Sequence, residues 1–169
     1  MSRRFVTICV AILVAGVGVT AALATPALGT LTSIVFARGT LVEPVDAFDG
    51  GVTLIADETT DHAVQTITFA PGASSGWHTH PGVILVTVQS GTLTHYNADC
   101  SSEKISPGQT FHETRGISEG SRRRGFSLGG GGTIVRNEGT VPVVVYVTYI
   151  VPAGEPLRID MPNPGCPVN

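Results

Sequence analysis

The sequence predicts an all-β fold, a sandwich or jelly-roll barrel of about eight short strands. Three observations lead there. No window of eleven or more residues after position 30 carries apolar side chains at the helical spacing i, i+3, i+4, i+7. Short runs rich in Val, Ile, Thr and aromatic residues recur instead. Glycine and proline, 21 and 11 of 169 residues, punctuate those runs.

Taken in order, the chain begins with a basic Met1-Ser2-Arg3-Arg4 and an apolar run from Phe5 to Ala21. Ala22-Leu23-Ala24 then precedes Thr25-Pro26, an A-x-A cleavage pattern. Residues 1–24 therefore read as a secretory signal peptide, with an uncleaved N-terminal anchor as the alternative. The remainder, 25–169, reads as one domain. Its strands are expected at 31–36, 52–56, 63–69, 83–89, 92–96, 109–113, 133–136 and 143–151, where β-branched and aromatic residues cluster. Ser90-Gly91 between two of them reads as a tight hairpin turn. Residues 116–132, rich in Gly and Arg, are too long for an ordinary connection and read as an insertion. The proline-rich tail, 152–169, is expected to pack over the barrel.

Composition limits the function. A net charge of -3 excludes a polybasic nucleic-acid binder. Without residues 1–24 the chain has 13 acidic and eight basic residues, a net charge of -5. Two cysteines remain, Cys100 and Cys166, with no C-x-x-C pattern. In a secreted chain they read as one disulfide, two unpaired thiols being the alternative. The expected location is secreted or cell-envelope, with no membrane partner if the leader is removed.

The chemistry concentrates in residues 71–91, Pro-Gly-Ala-Ser-Ser-Gly-Trp-His-Thr-His-Pro-Gly-Val-Ile-Leu-Val-Thr-Val-Gln-Ser-Gly. His78 and His80 are two apart, so on a strand both imidazoles face one side, where they can share a metal. Gly72, His78, His80, position 84 and Gly91 stand in the register G-x5-H-x-H-x3-E-x6-G. That segment resembles the first motif of the cupin superfamily, except that Ile84 occupies the glutamate position. For the second motif, G-x5-P-x-G-x2-H-x3-N, reading back from Asn137 places Thr133 at the histidine position. A forward reading from Gly108 puts Glu119 there. Both registers lack the histidine. The chain thus resembles small exported single-domain cupins of actinobacterial type, over roughly residues 30–166, with degenerate metal motifs. The resemblance implies a cupin-type double-stranded β-helix barrel and a divalent metal: Fe, Mn, Zn, Ni or Cu.

Glu113 is the candidate third ligand. It alternates with Phe111, so if Phe111 points inward Glu113 does too and His112 points outward; the resemblance implies that their strand borders the one leading to the motif histidine. His78, His80 and Glu113 would form a two-histidine, one-carboxylate set with open positions. The competing reading pairs Glu113 with Arg115 or Arg136 at the barrel rim. His95 reads as an ordinary half-buried histidine, with a place beside the site as the alternative, and His62 as a surface residue. Arg115 and Arg122-Arg123-Arg124 suggest an anionic small molecule if their loop crosses the barrel mouth. No catalytic nucleophile or organic-cofactor motif is found. Two functions follow: a metal-dependent cupin that binds or transforms a small molecule, as an oxidoreductase or isomerase; or a metal-free, non-catalytic ligand-binding or envelope-associated barrel. A homodimer is a possible assembly.

Overall fold

In the computed structural model, residues 24–114 and 132–169 are described. The expected leader, 1–24, falls outside them except for Ala24. So do Arg115, Glu119, Arg122, Arg123, Arg124 and the expected insertion up to residue 131. No helix occurs among the described residues.

Two five-stranded antiparallel sheets face each other. One has the order β1 (Leu31–Thr40), β4 (Thr60–Phe69), β11 (Val143–Pro152), β6 (Val83–Ser90), β9 (Thr110–Thr114). The other has the order β12 (Ile159–Asp160), β5 (His78–Thr79), β10 (Thr133–Arg136), β7 (Leu93–Asn97), β8 (Ser102–Ile105). From β4 onward the chain alternates between sheets, apart from the β7–β8 hairpin, which is the winding of a jelly roll. Burial follows the strand period. Along β11, Val143, Val145, Val147, Tyr149 and Val151 are buried while the residues between them are less so. Each such buried side chain contributes about 1.5–3 kcal/mol. They join Phe69, Val86, Leu93 and Phe111 in the main core.

Two strand expectations need correction. Ser90-Gly91 does not close a hairpin between paired strands: β6 pairs with β11 and β9, whereas β7 belongs to the other sheet. The turn is a corner where the chain changes sheets. Gly91 is required there, because its φ is +74° and a Cβ would lie 2.8 Å from the Pro142 carbonyl oxygen. A local turn signal reports a reversal of the chain, not which strand accepts the hydrogen bonds. The second correction concerns residues 45–56. Besides the expected strand at β3 (Val52–Ala56), β2 (Val45–Asp49) pairs with it across Gly50-Gly51 as a separate ribbon. Both glycines have positive φ, as a two-residue hairpin turn demands. The ribbon is exposed; Phe48 is 78% accessible and Ile55 64%.

The tail behaves as expected. Cys100 and Cys166 are bonded, joining the β7–β8 turn to the C-terminal segment. Cys166 and Val168 pack on Trp77 and Ile134 as a second, smaller core. The bridge spans 66 residues, so replacing both cysteines by serine is expected to cost about 4 kcal/mol through the entropy of the unfolded chain. Urea unfolding of the oxidised and serine forms measures this. Equal midpoints would show that the tail is held by packing alone.

Candidate metal centre

The site is built from both sheets. The two-residue β5 (His78–Thr79) carries a buried His78 and a half-buried Thr79, and His80, directly after it, is buried again. Its ladder with β10 sets Thr133 opposite His78, and its ladder with β12 sets Asp160 opposite His78 as well. From the other sheet, β9 brings Phe111 and Glu113 inward while His112 is exposed, as the alternation predicts. However, β9 borders β6; the strand that carries Thr133 lies in the opposite sheet. Glu113 reaches the histidines across the barrel interior, not along a shared ladder.

The three side chains converge. Glu113 Oε2 lies 2.9 Å from His80 Nε2 and 3.9 Å from His78 Nε2. One nitrogen or oxygen from each of the three falls within 4.8 Å of the others. Glu113 is buried, so the rim reading, with Arg115 or Arg136 as partner, does not hold for the described Arg136. Ligand atoms about 2.1 Å from a shared ion sit roughly 3.0–3.4 Å from one another, and the two distances bracket that range.

Hydrogen bonding decides which nitrogen is available. His78 Nδ1 lies 2.9 Å from the Gly76 carbonyl oxygen, and His80 Nδ1 lies 2.6 Å from that of Leu157. A carbonyl only accepts, so both Nδ1 atoms carry the proton and donate it. Neutral imidazoles then turn the Nε2 lone pair inward, as metal-binding histidines do. For His80 this sets a lone pair against a carboxylate oxygen, which is repulsive unless a cation stands between them. Glu113 Oε1 is buried without a hydrogen-bond partner among the described residues. Two inward lone pairs and an under-satisfied buried carboxylate fit a divalent cation.

His95 belongs to this surrounding. It is buried, with Nε2 3.7 Å from Glu113 Oε1 and Nδ1 3.3 Å from Glu103 Oε1. The reading of an ordinary half-buried histidine is therefore corrected: β7 turns it toward the carboxylate. Its inward position was legible only from the alternation along β7, whose phase the sequence leaves ambiguous. Tyr149 was also missed. Its ring lies 5.9 Å from that of His80, and its hydroxyl donates to Gln65 Oε1 at 2.6 Å. Burial, with the Glu113 charge adding to it, pushes this phenol above its ordinary range.

Charge states follow from the same contacts. Burial lowers the His78 pKa from 6.5 to about 4, against the opposing pull of Glu113. In the acidified, metal-free protein the histidines become protonated; burial alone would raise Glu113, but a hydrogen bond from protonated His80 and the positive charges of His78, His80 and His95 then outweigh it and lower the carboxyl to about 2. An unfolded His78 takes up its proton near pH 6.5 and the folded one near 4. The unfolded state binds more protons in that window, so acidification removes stability. Glu113 acts in the same direction between 4.5 and about 2. The thermal midpoint of metal-free protein is expected to fall from pH 6.5 downward in calorimetry. A midpoint flat from pH 6.5 to 4 would show that His78 already carries a proton in the fold.

No family model matches the chain, and no curated protein does. Among solved structures, a cupin-like protein from Thermotoga maritima is 14% identical, with a TM-score of 0.48 over 81% of this chain and 80% of that one. A cupin superfamily protein from Desulfitobacterium hafniense is 10% identical, with a TM-score of 0.45 over 72% and 78%. An oxalate oxidase in complex with glycolate is 19% identical, with a TM-score of 0.41 over 54% and 42%. The chain thus spans about two fifths of the oxalate oxidase. At such identities and TM-scores below 0.5, the likeness carries no residue roles across. By its own strand winding the chain has a double-stranded β-helix (jelly-roll) fold.

Proposed function

We propose that this chain is an exported cupin-type protein that binds one divalent first-row metal through His78, His80 and Glu113, and binds or transforms a small molecule in the adjoining cavity. The observation that carries this is the convergence of both histidine Nε2 atoms on a buried carboxylate, with both Nδ1 atoms held by carbonyl oxygens. The cavity measures about 440 Å³ and its wall includes all three side chains. A metal held there would supply Lewis acidity or oxygen activation, the set suiting Fe, Mn, Zn, Ni or Cu. The chain's own part is to fix both imidazole tautomers and to surround the site with apolar side chains that restrict water. The Cys100–Cys166 bond is compatible with an oxidising compartment. Thr25 ties the start of the barrel to the C-terminal segment, its amide and its hydroxyl both donating to the Met161 carbonyl oxygen.

A second reading has its own support. A protonated His80 would pair with Glu113 at 2.9 Å, and Ile84 and Thr133 stand where the resemblance calls for two further ligands. The barrel would then be a metal-free binding module. Elemental mass spectrometry on the purified chain separates the two, with a His78→Ala/His80→Ala variant alongside. Near-stoichiometric metal that is lost in the variant supports the metal reading. A metal-free wild type that also takes up none on dialysis against zinc, manganese or iron(II) overturns it.

A further inference from the structure

The cavity's chemistry is uneven, and the unevenness describes a ligand. Its long walls come from Val86, Val145, Val147, Ile67, Phe69 and Phe111. Its charged side chains are Glu113, Arg158 and Asp160, which share the wall with both histidines and with the uncharged polar Ser33, Gln65, Ser75 and Tyr149. Leu157 accepts the His80 proton, which holds the following residue, Arg158, beside the pair, and Arg158 also lines the cavity. The Arg158 Nε donates to Asp160 Oδ1 at 2.6 Å. Its terminal Nη1 and Nη2 groups have no partner among the described residues, and the side chain is only partly exposed. A guanidinium with its fork unengaged at a cavity wall is suited to an oxyanion.

Charge completes the picture. Arg158, Asp160 and Glu113 together carry one negative charge, which repels an anion. A divalent ion on His78, His80 and Glu113 turns that sum into one positive charge. We propose that the cavity takes a small monocarboxylic acid with an apolar body, its carboxylate held between Arg158 and the metal-loaded His78–His80–Glu113 set and its body along the valine and phenylalanine walls. This rests on the metal reading above. A second carboxylate on the ligand would find no second cationic side chain, Arg158 being the one Arg or Lys among the described lining residues, so dicarboxylic acids are disfavoured. An acid with no apolar body leaves the walls unfilled and forfeits their contribution.

The test uses the full chain loaded with zinc, which has no redox chemistry of its own, and isothermal calorimetry with decanoate, 1-decanol, acetate and sebacate. Decanoate is expected to bind, and each of the other three at least about tenfold more weakly, from the loss of a charge-assisted contact, of apolar burial, or from an unpaired second charge. Arg158→Gln is expected to weaken decanoate by at least about tenfold while leaving zinc uptake unchanged. Stripping the zinc is expected to weaken decanoate as well. Val147→Phe, which fills the cavity from β11, is expected to abolish decanoate binding and to keep zinc. Zinc uptake without decanoate binding overturns this inference and leaves the metal reading standing. Sebacate or decanol binding as tightly as decanoate, or an unchanged affinity in Arg158→Gln, overturns it too. Failure to take up zinc, or manganese or iron(II) offered in its place, overturns both.

Discussion

Replacing Glu113 with glutamine is expected to lower zinc affinity by at least about a hundred-fold while the barrel stays folded. Changes to groups that merely support a metal ligand already cost ten- to a hundred-fold, and here a charged ligand itself is removed. Glutamine has nearly the same shape, so Phe111 and Ile84 keep their packing around it. Its side-chain oxygen still accepts from a protonated His80, but a neutral amide offers a divalent ion far less than a carboxylate does. Competition titration with a chromophoric chelator gives the affinity, and thermal melting of the metal-free forms gives the fold. The variant should also lose the part of the acid sensitivity that lies between pH 4.5 and about 2, since that part belongs to the Glu113 carboxyl. Unchanged zinc affinity would remove Glu113 from the ligand set and leave two histidines, too few for a stable site.

Trp77→Ala is expected to cost about 3–5 kcal/mol, the usual loss for truncating a wholly buried large aromatic residue. Trp77 has no accessible surface and forms the second core with Ile134, Cys166 and Val168. Its Nε1 donates to the Val168 carbonyl oxygen at 3.0 Å, so truncation also removes one of the two hydrogen bonds that oxygen accepts, leaving the one from Asn163 Nδ2. The effect should reach the site. The Trp77 carbonyl accepts from the Met161 amide, and this bond holds the C-terminal segment against β5 directly before His78. Urea unfolding measures the stability loss, and zinc titration of the folded fraction measures the displacement of His78. A loss below about 1 kcal/mol would mean that the tail re-packs into the space.

Much of this was legible from the residues. The H-x-H pair is readable because a strand turns alternate side chains to one face, and β5 needs only a few residues to do so. Glu113 was readable for the same reason, through its alternation with Phe111. The disulfide followed from two cysteines left in a chain with a leader. Other features depend on which strands become neighbours, and local patterns carry little of that. Ser90-Gly91 has the chemistry of a hairpin but serves a corner, because β6 finds better apolar partners in β11 and β9. Residues 102–105 and 159–160 are too short and too polar to announce strands; they form because β7 and β5 present open edges. Arg158 stood in a proline-rich tail without any motif, and only the pairing of β12 with β5 brings it to the cavity.

Ile84 and Glu113 face each other directly across the β6–β9 ladder. Residues so opposed share one side of a sheet, with Cβ atoms about 4.5–5.5 Å apart. A glutamate side chain is long enough to cover that gap, so a carboxylate rooted on either strand arrives at nearly the same point in space. What the barrel provides in this arrangement is an address for a negative charge, and the address has two doors. A residue pattern written along one strand records only one of them. The charge can stand on either strand without the backbone moving, so a site incomplete by position can be whole by geometry.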